Sequence, residues 1–240
     1  MLMDIKMPER ISRPFIHACM GIRGEERPQD RELIDVSESL ILRNAAPRWT
    51  YREFRWNLVE GLFPGEKLRE HLEGARRVVL MGMTLGSEID KLIRRYEIVD
   101  MAKALALDAC ASSLVEDMCD IFCQELGKEY WEEGLVLGGR FSPGYGDLPI
   151  SSQGAFEELL RLQKNIGLAQ SRENLLIPRK SVTAIMGLIE AEARETVGEE
   201  PQVTSPTEEE REMREHLESC RICGLAGRCS FRAAGGYCGK

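Results

Sequence analysis

The central loop is Gly138-Gly139-Arg140-Phe141-Ser142-Pro143-Gly144-Tyr145-Gly146-Asp147. Its glycines let the backbone come close to a ligand, and Pro143 limits the entropy that the loop loses when it closes. Arg140 presents a planar guanidinium suited to a carboxylate or phosphate, and Tyr145 presents a flat ring with a hydroxyl. This combination predicts a site for a small molecule with an anionic end and an aromatic end. The alternative is an ordinary glycine-rich turn with a surface arginine.

Helical and strand-like segments surround the central loop. A long helix is predicted for residues 99–127, because apolar side chains recur there every three or four positions. An amphipathic helix is predicted for residues 152–165, after the loop. The strand-like apolar runs are 77–81, 135–137, 174–177 and 182–189.

The N-terminal third predicts mainly helices. Apolar residues recur at helical spacing in 30–44 and more weakly in 51–60, and Pro64 stands near the start of a further short helix. Gly82 bounds the strand at 77–81 and, with Gly86, predicts a turn into the next helix. Phosphate binding at this turn is the alternative, but the glycines lack the spacing of a dinucleotide fingerprint.

One motif links the loop to a known family. Arg140-x-x-x-Gly144-Tyr145 resembles the Arg-x-x-x-Gly-Tyr signature of the C-terminal activation domain of cobalamin-dependent methionine synthase. The likeness extends over residues 110–190 and is faint in the N-terminal third. Its other matching segments are Lys128-Glu129-Tyr130, Asn165-Ile166-Gly167-Leu168 and Pro178-x-x-Ser181-Val182. The resemblance, with the alternation of strands and helices, implies an α+β fold whose curved, mostly antiparallel sheet is flanked by helices. A 240-residue chain built around this core resembles the stand-alone, bacterial version of the domain.

The resemblance also implies roles for four residues. Arg140 would bind the carboxylate of S-adenosylmethionine, and Glu116 would meet its amino group. Gly144 and Tyr145 would shape the pocket, with Tyr145 near the face that a cobalamin approaches. An amino acid zwitterion is well served by one cation and one anion, because each contact is then charge-assisted.

The implied function is reactivation of a cobalamin-dependent methyltransferase, most simply methionine synthase. S-adenosylmethionine would trap the one-electron reduction of cob(II)alamin by methylation, with flavodoxin or ferredoxin as the reductant. No Asp-x-His-x-x-Gly corrinoid motif occurs in the sequence, so the cobalamin must be carried by a partner protein. The chain would be part of a methyltransferase system that supplies positioning, not an acid, a base or a nucleophile.

Two departures from the family pattern stand out. Gly146 follows the signature tyrosine where the family commonly has proline, which is expected to loosen the loop. The family's final aromatic-bearing segment is replaced after Ile189 by an acidic tail.

We expect four regions: a helical part (1–75), the activation-domain-like core (76–190), an acidic linker and helix (191–219) and a cysteine-rich tail (220–240). Residues 190–218 carry eleven glutamates against three arginines.

The tail contains a second candidate site. Cys220, Cys223, Cys229 and Cys238 have the close first pair expected of a metal site. Four thiolates can bind zinc or an iron–sulfur cluster, and reduced thiols or disulfides remain alternatives. This cluster supports another class of function, a metal-binding redox or docking protein for a corrinoid protein, in which the ligand pocket is vestigial.

Three further cysteines, Cys110, Cys119 and Cys123, share one face of the long helix. Small buried cysteines in a helix are common, so we expect packing there, with a metal or redox role as the alternative.

Composition excludes several other classes. The formal net charge of -8 disfavours nucleic-acid binding, which depends on Lys and Arg that neutralise phosphates. The N-terminus places charges too early for a signal peptide, and no long uncharged apolar run predicts a membrane span. We therefore expect a cytoplasmic protein.

Overall fold

The computed structural model describes residues 5–191, in which helices flank both faces of an antiparallel sheet. The helices are α1 (Arg13–Met20), α2 (Pro28–Asn44), α3 (Trp56–Val59), α4 (Glu66–His71), α5 (Ser87–Val99), α6 (Met101–Glu132), α7 (Gln153–Leu160) and α8 (Leu162–Ile166). The strands are β1 (Arg48–Arg55), β2 (Arg77–Thr84), β3 (Leu135–Leu137), β4 (Ala169–Gln170), β5 (Leu176–Ile177) and β6 (Ser181–Glu190). Short 3-10 turns occupy Glu60–Leu62 and Ile150–Ser152.

The main sheet has four strands in the order β1-β2-β6-β3, and every pair in it is antiparallel. The central strands β2 and β6 are buried on both faces, which explains their continuous apolar sequences. Alternate β2 side chains enter different cores: Val79 and Met81 point to one side, whereas Val78 and Leu80 point to the other. The small β4–β5 ladder lies outside this sheet.

The long helix α6 covers the first face together with α1, α2 and α5. The Asp100 side chain caps its first turn by accepting a hydrogen bond from the Lys103 backbone N–H at 3.1 Å. Buried residues from Ala104 to Tyr130 then run along the helix, so it spans the whole sheet.

The second face is covered by α3, α4, α7 and α8. Helix α8 comes very close to β2, because Leu162 lies over Gly82 and a β-carbon at Gly82 would be 2.4 Å from the Leu162 side chain. Gly82 is therefore a packing position inside β2, which continues to Thr84. The predicted end of the strand at Gly82 is wrong for this reason.

The predicted α+β class, with a mostly antiparallel sheet flanked by helices, is confirmed. The helix predicted at 51–60 is wrong, because β1 runs through Arg55 and only Trp56–Val59 is α-helical. The helix predicted at 152–165 is interrupted at Arg161, whose left-handed backbone (φ 50°) separates α7 from α8.

The predicted region boundaries remain predictions. Strands β1 and β2 lie on either side of the boundary at residue 75 and pair from Arg48 to Arg55. The acidic segment and the cysteine-rich tail lie outside the described residues. No helix among the described residues is long and apolar enough to cross a membrane.

Candidate functional site

The central loop continues the edge of the sheet beyond β3. Phe141 exchanges two backbone hydrogen bonds with Ile185 of β6, both of 2.9 Å, and the Gly138 N–H donates to the Gly187 carbonyl at 2.8 Å. Phe141 is buried in the second core. Arg140, the preceding residue, points to the opposite side and meets α6, as expected for alternating side chains in extended chain.

Arg140 is bound by two carboxylates of α6. Its Nη2 lies 2.6 Å from Asp120 Oδ1 and 3.1 Å from Glu116 Oε2. The Arg140 side chain is 21% exposed, whereas Glu116 and Asp120 are 30% and 51% exposed. The Nη1 atom is shielded from solvent and has no hydrogen-bond partner within residues 5–191. A buried donor without a partner is costly, so the cluster has capacity for one more acceptor.

The electrostatics of this cluster keep Arg140 charged. Burial disfavours the guanidinium cation, but neighbouring acidic groups, among them the carboxylates of Glu116 and Asp120, outweigh burial and raise the pKa of Arg140 above its usual value. Burial also raises the pKa of Cys119, so this thiol stays protonated beside the cluster. The charged groups in contact are therefore one guanidinium and two carboxylates.

Helix α4 holds the central loop at both ends. The Nε2 atom of His71 lies 2.8 Å from the Gly139 carbonyl oxygen, and the His71 ring packs 5.2 Å from the Phe141 ring. The Asp147 carboxylate accepts hydrogen bonds from the backbone N–H groups of Glu66 and Lys67, at 2.6 and 3.2 Å. These contacts fix the loop backbone on either side of the signature residues.

Gly146 allows the turn after Tyr145 to adopt its backbone conformation and to pack closely. Its φ is 53°, a region that proline cannot adopt. A β-carbon there would lie 3.1 Å from both Phe141 Cζ and Lys67 Cδ. The replacement of proline by glycine thus accompanies close packing of the turn against α4.

The four predicted ligand residues occupy different surroundings. Arg140 and Glu116 are in contact, as the prediction requires of a shared ligand site. Gly144 is exposed at a φ of 94° in the turn, and Tyr145 packs, half-buried, against the second core. Asp120 joins the cluster but was not predicted, although its position four residues after Glu116 places it on the same helical face.

A polar stripe runs along α6 at intervals of four residues. The α6 stripe consists of Asp108, Ser112, Glu116 and Asp120. At its first half, Lys180 Nζ lies 2.9 Å from Asp108 Oδ1 and donates a hydrogen bond to Ser112 Oγ at 2.8 Å. Arg179 adds a contact of 3.0 Å to Asp108. No sequence signal indicated this second ion cluster.

The cysteines of α6 behave as packing residues. Cys110 and Cys119 are buried, and Cys123 packs with its sulfur 3.6 Å from that of Met186. In the part of the chain that the structure describes, no group of three or more His, Cys, Asp or Glu side chains is arranged to hold a metal ion. Cys220, Cys223, Cys229 and Cys238 lie outside that part, so their metal site stays a prediction.

Two clefts lie away from the Arg140 cluster. A cleft of about 340 Å³ is lined by residues of α2 and the preceding segment, and one of about 320 Å³ lies between β1 and the α7–α8 junction. Neither is lined by Arg140, Glu116 or Tyr145.

Comparison with known proteins supports the fold. No protein-family profile matches the sequence, and no curated protein matches it. A solved structure described as the MetH reactivation domain bound to AdoHcy superimposes with a TM-score of 0.56. The chain has the fold of this domain. The match has 15% sequence identity and covers 74% of this chain and 73% of the solved one. The fold implied by Arg140-x-x-x-Gly144-Tyr145 is therefore confirmed independently of that motif.

Proposed function

We propose that the chain binds S-adenosylmethionine at the Arg140 cluster and presents its methyl group to a cobalamin carried by a separate methyltransferase, such as methionine synthase. The shared fold supports this proposal, because the solved domain is bound to AdoHcy, the demethylated form of that ligand. In this proposal the cobalamin protein acts in trans. Flavodoxin or ferredoxin is the proposed class of reductant.

The observation that carries the proposal is the unpartnered Nη1 of Arg140. A ligand carboxylate placed against it would form a charge-assisted hydrogen bond and would satisfy the shielded donor. Glu116 is partly exposed beside Arg140, and its carboxylate can accept hydrogen bonds from the ligand's ammonium group. The residues present therefore fit the amino acid end of S-adenosylmethionine.

The proposed reaction needs no acid, base or nucleophile from the chain. When bound by the partner and reduced by one electron, the cobalamin would supply the nucleophile for the methyl group, and S-adenosylhomocysteine would be the product left to leave the Arg140 cluster. The chain contributes orientation: Arg140 and Glu116 hold one end of the ligand, and Gly144 and Tyr145 form the proposed wall at which the cobalamin arrives.

The test is titration calorimetry of the whole chain with S-adenosylmethionine. Arg140→Met is expected to lower the affinity on the order of 100-fold, because it removes the carboxylate anchor. Arg179→Met is the matched control, since Arg179 also pairs with a carboxylate of α6 but lies at the other cluster. Equal affinities for the wild-type chain and Arg140→Met, or no binding by the wild-type chain, would contradict the proposal.

A second assay addresses the transfer itself. The chain, labelled S-adenosylmethionine, a chemical reductant and a cobalamin-loaded methyltransferase are mixed without the methyltransferase's own reactivation domain. Methylcobalamin is expected to form with the wild-type chain and to fall sharply with Arg140→Met. Binding without any transfer across the cobalamin proteins of the host would restrict the role to ligand binding.

A further inference from the structure

The cleft between β1 and the α7–α8 junction is lined by cations and by no acidic side chain. Its volume is about 320 Å³, and Arg52, Arg161 and Lys164 form its charged wall, while its other lining residues are neutral. We call it the basic cleft. A cleft lined by charges of one sign concentrates the electric field, so it attracts an occupant of the opposite charge.

The three cations of the basic cleft are exposed, and none of them forms an ion pair within residues 5–191. The Arg52 guanidinium lies over the Phe54 ring, 5.1 Å from its centroid. Glu157 of α7 does not line the cleft, and its carboxylate accepts a hydrogen bond from the Gln163 backbone N–H at 3.1 Å. The cleft is therefore able to pair with several carboxylates from elsewhere.

The chain itself contains a segment of matching charge. Residues 192–218 lie outside the described residues, and their sequence has ten glutamates and three arginines, which gives a net charge of -7. The net charge of the whole chain is -8, so this segment accounts for nearly all of it. Its densest run of acidic residues is Glu208-Glu209-Glu210.

The register of the sheet places the start of this segment near the basic cleft. Arg52 of β1 pairs with Leu80 of β2, which pairs with Ile185 of β6. Ala191, the last described residue, is six residues beyond Ile185. It is thus about 10 Å from Arg52 across the strands and about 20 Å along them. Glu208 is 17 residues further on, and an extended chain of that length spans about 60 Å.

We propose that the glutamate-rich segment 192–218 docks in the basic cleft of the same molecule, with Glu208-Glu209-Glu210 against Arg52, Arg161 and Lys164. Each exposed ion pair is weak by itself. A tethered segment has an effective concentration on the order of millimolar, so several weak pairs together are sufficient to hold it. The proposal is independent of any ligand at the Arg140 cluster.

Carbodiimide cross-linking of the whole chain tests the proposal, because this reagent joins a lysine amine to a carboxylate in direct contact. Lys164 is the lysine of the basic cleft. Mass spectrometry of the digested protein is expected to find Lys164 joined to a glutamate of 192–218. The ion pair of Lys91 with Glu88, at 2.6 Å, provides an internal reference for the reaction.

A double variant, Arg52→Gln with Arg161→Gln, removes two cations of the cleft and keeps Lys164 as the reporter. The yield of the Lys164 cross-link is expected to fall on the order of fivefold, since two exposed ion pairs are lost. Arg94→Gln with Arg95→Gln is the matched control. It changes the net charge equally, at exposed arginines of α5 on the opposite side of the sheet, and should leave the yield unchanged. Higher salt should lower the yield in the wild-type chain.

A mixture of isotopically labelled and unlabelled chains separates docking within one molecule from docking between molecules. Cross-links confined to one isotope support the proposal, whereas links between the two isotopes would overturn it by assigning the cleft to a second copy. Absence of a link from Lys164 to 192–218 while the Lys91 reference forms, or equal yields in the two double variants, would overturn it as well. The salt series on the wild-type chain gives an answer that does not depend on the folding of any variant.

Discussion

Each half of the α6 stripe binds a cationic side chain, but the two halves differ in how fully the nitrogens of that cation are paired. At Asp108 and Ser112, Lys180 is 11% exposed and its ammonium contacts both residues. At Glu116 and Asp120, one terminal nitrogen of the Arg140 guanidinium makes both contacts, and the other has no hydrogen-bond partner among residues 5–191. The first cluster joins the start of β6 to α6. The Arg140 cluster has a shielded hydrogen-bond donor that a ligand can use, which is more typical of a binding site than of a structural ion pair.

The largest expected effect on stability comes from the cluster of Lys180, Asp108 and Ser112. Lys180→Met keeps the length of the side chain but leaves Asp108 and Ser112 without their buried cation. We expect a loss of about 2 kcal/mol of unfolding free energy, less than for a fully buried pair because Asp108 is partly exposed and keeps Arg179. Urea denaturation measures the loss, and affinity for S-adenosylmethionine should not change.

Arg179→Met provides the scale for that result. Its side chain is 49% exposed, so we expect a loss below about 1 kcal/mol. If Lys180→Met is no more destabilising than Arg179→Met, the distinction between a structural cluster and a binding cluster is wrong.

Asp117, a further carboxylate of α6, provides a prediction about pH. Burial raises the pKa of Asp117 from 3.8 to about 6, because the desolvation penalty exceeds the effect of its hydrogen bond from Ser12. The folded chain therefore holds this proton more tightly than the unfolded chain. The resulting stabilisation is complete below about pH 4 and is lost as pH rises through about 6.

Asp117→Asn tests this assignment, since asparagine stays neutral throughout. The variant should gain about 1 kcal/mol over the wild-type chain between pH 4 and 7, after allowance for partial solvation. Urea denaturation across that range gives the difference. A constant difference between the two proteins at every pH would refute a shifted carboxylate at this position.

The smallest expected effect concerns the support of the binding cluster. His71→Phe keeps a ring beside Phe141 but removes the donor to the Gly139 carbonyl. We expect about threefold weaker binding of S-adenosylmethionine and little change in melting temperature, because the loop keeps its Asp147 contacts. His71→Gln should restore binding, since its amide can donate in the same place. If His71→Gln binds as weakly as His71→Phe, the hydrogen bond to Gly139 does not support the Arg140 cluster and the contact of α4 is limited to packing.

The sequence predicted the parts of the fold whose patterns are local. Helix α2, the central strands and most of α6 follow from apolar periodicity, and the overall class was confirmed. Strand β1 was missed because charged residues occupy its outer positions, so that only Trp49 and Tyr51 reach the first core. The interruption at Arg161 depends on a left-handed backbone that no glycine or asparagine announces.

The candidate site was predictable only in part. The family resemblance implied that Glu116 and Arg140 bind one ligand, and the structure brings these two residues into contact, while their ligand roles remain predictions. Asp120 could have been found from its helical spacing. The contacts of His71 and Asp147 could not, because they join segments 68 and 80–81 residues apart in the sequence. Such contacts depend on tertiary packing, which leaves no periodic signal.

The outer position of β1 has a consequence for behaviour at high concentration. In the part of the chain that the structure describes, β1 is an eight-residue strand at the edge of the sheet, and an edge of this kind can act as a template for strand addition between molecules. Arg48, Arg52 and Arg55 are exposed along this edge, so two such strands approaching each other bring like charges together. The charged residues that made β1 hard to predict from the sequence therefore also disfavour aggregation through this edge. Their neutralisation by alanine should leave each molecule folded while lowering the concentration at which the protein stays monodisperse.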